Sequence, residues 1–420
     1  MGESLGTLLR AASEPVGDVR PPAVAELVAR RRRRTGLRTA GAMLATVATV
    51  VTVAAVVANR PDRPGRHDIP PPISRPRPAA MGVTVDQLAG YRWRALPPTP
   101  IPPRDGAVAV WTGHQVIVWG GTRDDQDRSD GAAYDPVTRR WTTLPRSPVA
   151  GTDAQAVWTG RSIVVWAFDR GGASYDPAEG TWTRLPGVRD AGPAALVAWR
   201  GRAVLLHGAQ YAAVVHADAY DAATNRWQHL PELRLAAHHE LGQVEATVAG
   251  VDLYVWAEWE HTVRSGSGSD VISGIDPFRF DGAWRGSNLR PESGSGASGA
   301  AALGTSLFFP EQAPWCGCMG GPARLTLTGT VVDLRTGDRR RTPPTHGGQY
   351  APTGRAVLAL NTSRTGGGLR PGDLEAWEPG RPRWVRLPAA PLNGGEEAAV
   401  LWAGSRLFVW GSQGGLEFAG

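Results

Sequence analysis

Lysine is absent from this 420-residue chain, and all 45 fixed positive charges are arginine. Codon bias in a GC-rich genome produces that pattern, so no chemistry is read from it. Cysteine is almost absent, with only Cys316 and Cys318. Two cysteines exclude a disulfide framework and a four-cysteine zinc site. A bond across the single residue between them would be strained. A redox pair, a soft-metal site completed by other ligands, and no function are the three readings, with the last favoured. From Tyr91 onward neither charge is in excess, with 32 arginines against 32 acids; residues 1–38 and 59–90 carry the whole net charge of +6. A nucleic-acid face needs surplus positive charge on the folded part, so nucleic acid is not an expected partner. No Gly-rich phosphate loop or nucleophile-elbow motif is present. The acidic stretch Asp124-Asp125-Gln126-Asp127 lacks the glycine and distal glutamate that an EF-hand calcium loop requires.

One stretch is long and free of charge. Residues 39–58 read TAGAMLATVATVVTVAAVVA. As a helix they span about 30 Å, the hydrocarbon thickness of a bilayer. Arg30–Arg34 and Arg38 precede them, and Arg60, Arg63 and Arg66 follow. The stronger cluster is N-terminal, which keeps residues 1–38 in the cytoplasm and carries the rest across. A cleaved signal peptide with Val56-Val57-Ala58 at its cleavage site is the rival reading. Both the charged and the apolar parts are long for one, so an uncleaved anchor is favoured. Seven prolines in residues 59–80 favour an extended polyproline spacer. The expected organisation is a basic cytoplasmic leader at 1–38, a transmembrane helix at 39–58, a Pro-rich linker at 59–90 and a folded domain at 91–420, in a single-pass cell-membrane protein. The leader places Leu5, Leu8, Leu9 and Ala12 at helical spacing. Its layout is similar to that of membrane-tethered anti-sigma regulators, without the Cys and His of their zinc-binding form. That similarity implies a signal relay, although a leader that only sets topology is the simpler expectation.

The folded part repeats. Ala107–Trp111, a turn at Thr112-Gly113 and Val116–Trp119 are followed by Gly120-Gly121, Tyr134-Asp135-Pro136, Trp141 and Leu144-Pro145. The pattern returns with Trp158, Val164–Trp166, Tyr175-Asp176-Pro177, Trp182 and Leu185-Pro186. It comes again with Trp199, Val204–Leu206, Tyr220-Asp221, Trp227 and Leu230-Pro231. Asp and Trp are six apart in all three. Two apolar runs around a Gly turn predict a hairpin. Asp-Pro predicts a turn, because the Asp side chain bonds its own downstream backbone and Pro presets φ. Leu-Pro ends a strand, because Pro cannot donate to the ladder.

Later copies drift. The fourth is expected at Val255-Trp256, Ile275-Asp276-Pro277 and Trp284. The fifth is expected at Leu307–Phe309 and Val332-Asp333, with Arg339 where Trp should stand. The sixth falls at Val357–Ala359, Trp377-Glu378-Pro379, Trp384 and Leu387-Pro388. The seventh, Val400–Trp402, Leu407–Trp410 and Leu416–Phe418, lacks a Trp-x-x-Leu-Pro strand, while a spare one, Trp93-Arg-Ala-Leu96-Pro97, precedes the first copy. A ring closed by the N-terminal strand accounts for both. The expected fold is all-β: a propeller of seven four-stranded blades.

The Gly120-Gly121 pair and the Tyr–Trp pairs resemble the kelch repeat, which also builds the central domain of galactose-oxidase-like proteins. The resemblance covers roughly residues 91–420 and is closest in the first three copies. It implies a ring whose loops after the second strand and between blades share one ligand-binding face. That face would gather Arg104, Asp105, the run 123–128 with Asp124 and Asp125, Asp169-Arg170, Arg189-Asp190, His238-His239-Glu240, Glu258-Trp259-Glu260-His261, His346 and Glu396-Glu397. The candidate ligand residues are Asp124, Asp125, Asp169, Arg170, His238, His239, Glu258, Trp259 and His261. Neighbouring residues on a strand point to opposite faces, which argues against His238 and His239 sharing a metal. Galactose-oxidase chemistry would need copper on two Tyr and two His, with one Tyr joined to a Cys. Beyond Tyr91 at the start of the folded region, only Tyr211, Tyr254 and Tyr350 lie outside the repeat positions, and none pairs with a cysteine by sequence. The sialidase Ser-x-Asp-x-Gly-x-Thr-Trp box is also absent. No cofactor or metal and no catalytic residue is expected. The functional expectation is a monomeric binding module for an envelope protein or glycan; a carbohydrate-active enzyme is the alternative.

Overall fold

The computed structural model describes residues 82–420 except 153, 168–169, 191, 266–267, 290–299, 311–327, 346–347, 363–369 and 394–397. The leader, residues 39–58 and most of the linker lie outside the described residues. Among the described residues, no helix is long and apolar enough to cross a membrane.

Seven four-stranded antiparallel sheets form a seven-bladed β-propeller. Blade one is Val108–Trp111, Val116–Trp119, Gly131–Asp135 and Arg140–Thr143. The innermost strands of successive blades neighbour one another all the way round, including blade seven beside blade one. Among the described residues, seven clusters of buried apolar side chains fill the spaces between blades. Each blade is apolar on both faces, so each sheet is covered only by its two neighbours.

Blade seven is built as the repeat arithmetic requires. Ala399–Ala403, Arg406–Gly411 and Gly414–Ala419 come from the C-terminal end, and Arg92–Ala95 supplies the outer strand. Trp93 lies opposite Phe418, as Trp141 lies opposite Tyr134. The seam carries an ionic knot around a buried carboxylate. Glu417, 0 % exposed, accepts bonds from Arg406 at 3.1 Å and the Tyr134 hydroxyl at 3.2 Å, and pairs with Arg139. Arg139 also donates to the Ala95 carbonyl of the closing strand at 2.9 Å.

The Trp-x-x-Leu-Pro signature has a visible task. Each outer-strand indole N–H donates to the carbonyl that ends the preceding blade's outer strand. Trp141 bonds Pro97 at 3.1 Å, Trp182 bonds Pro145 at 3.0 Å and Trp227 bonds Pro186 at 2.8 Å. Trp284 bonds Pro231 at 2.6 Å, Trp384 bonds Pro343 at 2.9 Å and Trp93 bonds Pro388 at 2.7 Å. In blade five Arg339 replaces Trp and donates to the Asn288 carbonyl, completing the ring. The turn aspartates act as anticipated: Asp135, Asp176, Asp221 and Asp333 accept from the backbone N–H two residues on, at 2.8–3.0 Å. Gly120 and Gly121 both have positive φ, and a Cβ on either would meet a backbone carbonyl at 2.5–2.6 Å.

Two features differ from the sequence reading. In blade four the turn residue is Asp281, not Asp276: Phe280 pairs with Trp284 across a short turn, and Asp281 accepts from Ala283. Asp276 lies within the Gly268–Phe280 strand opposite Ala257. The Asp276-Pro277 pair imitated the repeat, while the true hairpin is longer. Residues 82–90, assigned by composition to the linker, belong to the packed domain. A capped turn of helix at Val85–Leu88 buries Val85 and Leu88 among side chains of blades six and seven.

Candidate binding face

Antiparallel meandering puts the loops after second strands and the loops between blades on the same face. Every described candidate ligand residue therefore lies on or near that face, but the residues form separate groups.

In blade one, Thr122–Arg123 and Gln126–Asp127 make a two-residue hairpin with Asp124 and Asp125 at its tip, both with φ above +50°. Short Asp side chains tolerate that conformation. Asp124 lies 3.5–3.8 Å from Arg123 and Arg128. Arg170, from blade two, reaches across to Asp127 at 2.8 Å. These charges are spent on one another at an exposed surface. Arg104 is buried and holds Asp130 through two bonds of 2.6 and 3.1 Å, so it serves the fold. Asp169, His346, Glu396, Glu397, Cys316 and Cys318 lie outside the described residues.

In blade four the sequence candidates do come together. His239 stacks on Trp259 with ring centroids 3.5 Å apart, and its Nδ1 lies 2.9 Å from Asp276. His238, at φ 70°, places its ring 5.5 Å from that of His261. Glu258 neighbours Trp259 on the Asp252–Ser265 strand. One face of Trp259 is taken by His239, and its edge fits against Gly274, where a Cβ would meet the indole at 2.4 Å. The indole is thus a packing element; it is not an open platform for a sugar. Among the described residues no three His, Cys, Asp or Glu side chains are placed to hold a metal ion.

A concavity of about 350 Å³ lies in blade three. His207 ends the second strand (Arg202–His207), His216 and Asp218 lie two apart on the third (Val214–Asp221), and His229 ends the outer strand (Arg226–His229). The alternation of strand side chains brings all four to one face. His207 is directly opposite His216, and Asp218 opposite His229. Residues 186–189, arriving from blade two, form the facing wall.

Asp218 is almost fully buried, with His207 Nε2 at 2.8 Å from one oxygen and His229 Nδ1 at 2.5 Å from the other. Burial pushes its carboxyl up, but the hydrogen bonds from both imidazoles prevail and hold it below the usual carboxylate range. An ionised carboxylate only accepts, so each facing ring nitrogen carries the proton. His207 Nδ1 then points elsewhere, buried and without a hydrogen-bond partner. His216 lies 3.3 Å from both Asp190 and Glu232. Arg189 and Arg226 stand at the cleft, exposed and without an ion pair among the described residues.

Sequence reading placed Arg189 and Asp190 on this face and missed His207, His216, Asp218 and His229. The available signals were the alternating pairs His216-x-Asp218 and Trp227-x-His229.

No protein-family model matches the chain, and no curated protein matches it in sequence.

Proposed function

We propose that the chain is a kelch-type propeller that binds a glycan of the cell envelope, presented outside the cytoplasm on an anchor at residues 39–58 and a Pro-rich spacer. The observation that carries the binding reading is the blade-three cleft, a concave site with convergent polar groups. The imidazole, carboxylate and guanidinium side chains that line it, among them His216, His229 and Arg226, suit a ligand rich in hydroxyl groups, which favours a glycan over an envelope protein. The repeat spacing and the Gly120-Gly121 pair support the kelch type. The uncharged run and its flanking arginines support the anchor.

The full-length protein in detergent micelles would be tested against an envelope extract treated with protease or with polysaccharide hydrolases. Saturable binding that survives the protease and disappears after the hydrolases is expected. Binding that survives only the hydrolases would replace the glycan with a protein partner. For topology, protease added to intact spheroplasts is expected to digest the propeller and spare residues 1–38; protection of the propeller would refute the external placement.

A carbohydrate-active enzyme is a second reading, favoured by the Asp218–His229 pair. A carboxylate that orients an exposed imidazole is the arrangement of a general base. Turnover of a glycan by the wild type, abolished in His229→Ala, would establish it.

A further inference from the structure

His216 lines the blade-three cleft with a carboxylate on either side of its ring. Its Nε2 lies 3.3 Å from Asp190, and its Nδ1 lies 3.3 Å from Glu232. The two acids belong to different segments. Asp190 directly follows residues 186–189, the wall that arrives from blade two. Glu232 lies between the outer strand Arg226–His229 and Leu233–Arg234, which pairs back onto Val214 and Val215.

A neutral imidazole has one N–H and one lone pair. It donates to Asp190 or to Glu232, and the remaining carboxylate then faces the lone pair. Only the imidazolium, with two N–H groups, donates to both. Loss of the ring's charge removes the ion pair with Asp190 in either tautomer. Glu232 keeps a second cation, Arg234 at 3.1 Å. Among the described residues no other cation lies within ion-pair distance of Asp190.

The remaining charged groups nearby are engaged elsewhere or act against the proton. His207 faces His216 with ring centroids 5.5 Å apart, but its Nε2 is held by Asp218. Asp218, two residues along the strand from His216, has its other oxygen on His229. Arg189 and Arg226 line the cleft and disfavour a further positive charge, while Asp190 and Glu232 favour it.

We infer that His216 is a proton-operated clasp on the cleft: charged, it ties the wall at residues 186–190 to blade three; uncharged, it releases that wall. This rests on the reading of the cleft as the glycan site and names the regulation of that site. A wall held in place binds more tightly than one that must be ordered by the ligand. Imidazole changes charge between about pH 5 and 8, so the clasp is complete in acid and is lost as pH rises.

Two measurements on the full-length protein in detergent micelles test this, each at about pH 5.5 and about pH 8. In thermal melts, H216Q and D190N should each lower the melting temperature at the acidic pH and match the wild type at the alkaline one. In titration with the envelope polysaccharide fraction, the wild type should bind more tightly at the acidic pH by up to about fivefold, the upper end for one partly exposed ion pair. H216Q should bind equally at both. H229Q removes the other exposed imidazole of the cleft and should keep the wild-type ratio. A melting difference between wild type and H216Q that does not change with pH would overturn the clasp, whether or not the polysaccharide binds. A pH-dependent melting difference with equal wild-type binding at both pH values would overturn its control of the cleft and leave glycan binding standing. Loss of the ratio in H229Q would assign the proton to the Asp218–His229 pair and also overturn it. No binding at either pH sinks the glycan reading, and with it control of a glycan site, while the melts still decide whether the clasp exists.

Discussion

Trp182 and Arg339 are unlike residues with one role: each donates a hydrogen bond to the carbonyl that ends the preceding blade. The role depends on a donor at that position and an acceptor four residues after the equivalent position in the blade before. It does not depend on an aromatic ring, which is why Arg339 breaks the sequence pattern without breaking the ring. Trp182→Phe keeps most of the packing and loses the donor, so chemical denaturation should show a loss of about 1 kcal/mol. Glu417 is a sharper case. Glu417→Ala would leave the partly exposed Arg139 and Arg406 without their shared carboxylate, with an expected cost of about 1.5–3 kcal/mol by the same measurement. The repeat Tyr, Asp and Trp residues were legible because the same task recurs at fixed spacing. Glu417 occurs once, and two of its three partners, Tyr134 and Arg139, are more than 270 positions away, so only the fold reveals them.

Among the elements, the closing strand tests the architecture most severely. Arg92–Ala95 pairs along its full length with Gly414–Ala419, and Trp93 adds a bond to Pro388. Deletion of residues 91–97 exposes Phe418 and the Glu417 knot together. The melting temperature is expected to fall by more than 10 °C; no change would mean that another strand closes the ring. This strand was legible because a signature was missing at one end and in surplus at the other. Blade four was read in the wrong register because Asp276-Pro277 sits in a strand and imitates a turn. Hydrophobic runs locate strands well, but a hairpin lengthened by several residues shifts the turn without changing the local pattern.

At the scale of the whole molecule, the ring brings distant side chains onto one face. Six of the nine histidines lie between His207 and His261, and strand alternation sorts them into the blade-three cleft and the blade-four stack. The blade-four group was readable as a cluster of adjacent residues. The cleft was not, because its members are spread over three strands and only sheet pairing unites them. Acid should loosen the assembly through its carboxylates. The hydrogen bond from Arg104 holds Asp130 below the ordinary range, and the two imidazoles do so for Asp218. Folding lowers both pKa values, so these groups stabilise the fold above the unfolded-chain value of about 3.9. That contribution is lost as pH falls through the lower folded-state values. Stability by denaturant titration should therefore drop below about pH 4, and less steeply in an Asp130→Asn/Asp218→Asn variant. Hydrogen exchange of the full-length protein, with and without the envelope polysaccharide fraction, locates the bound surface directly. New protection at residues 186–189, 207–218 and 226–229 is expected; protection confined to the turns of the opposite face, such as 112–115 and 159–162, would contradict binding at the blade-three cleft.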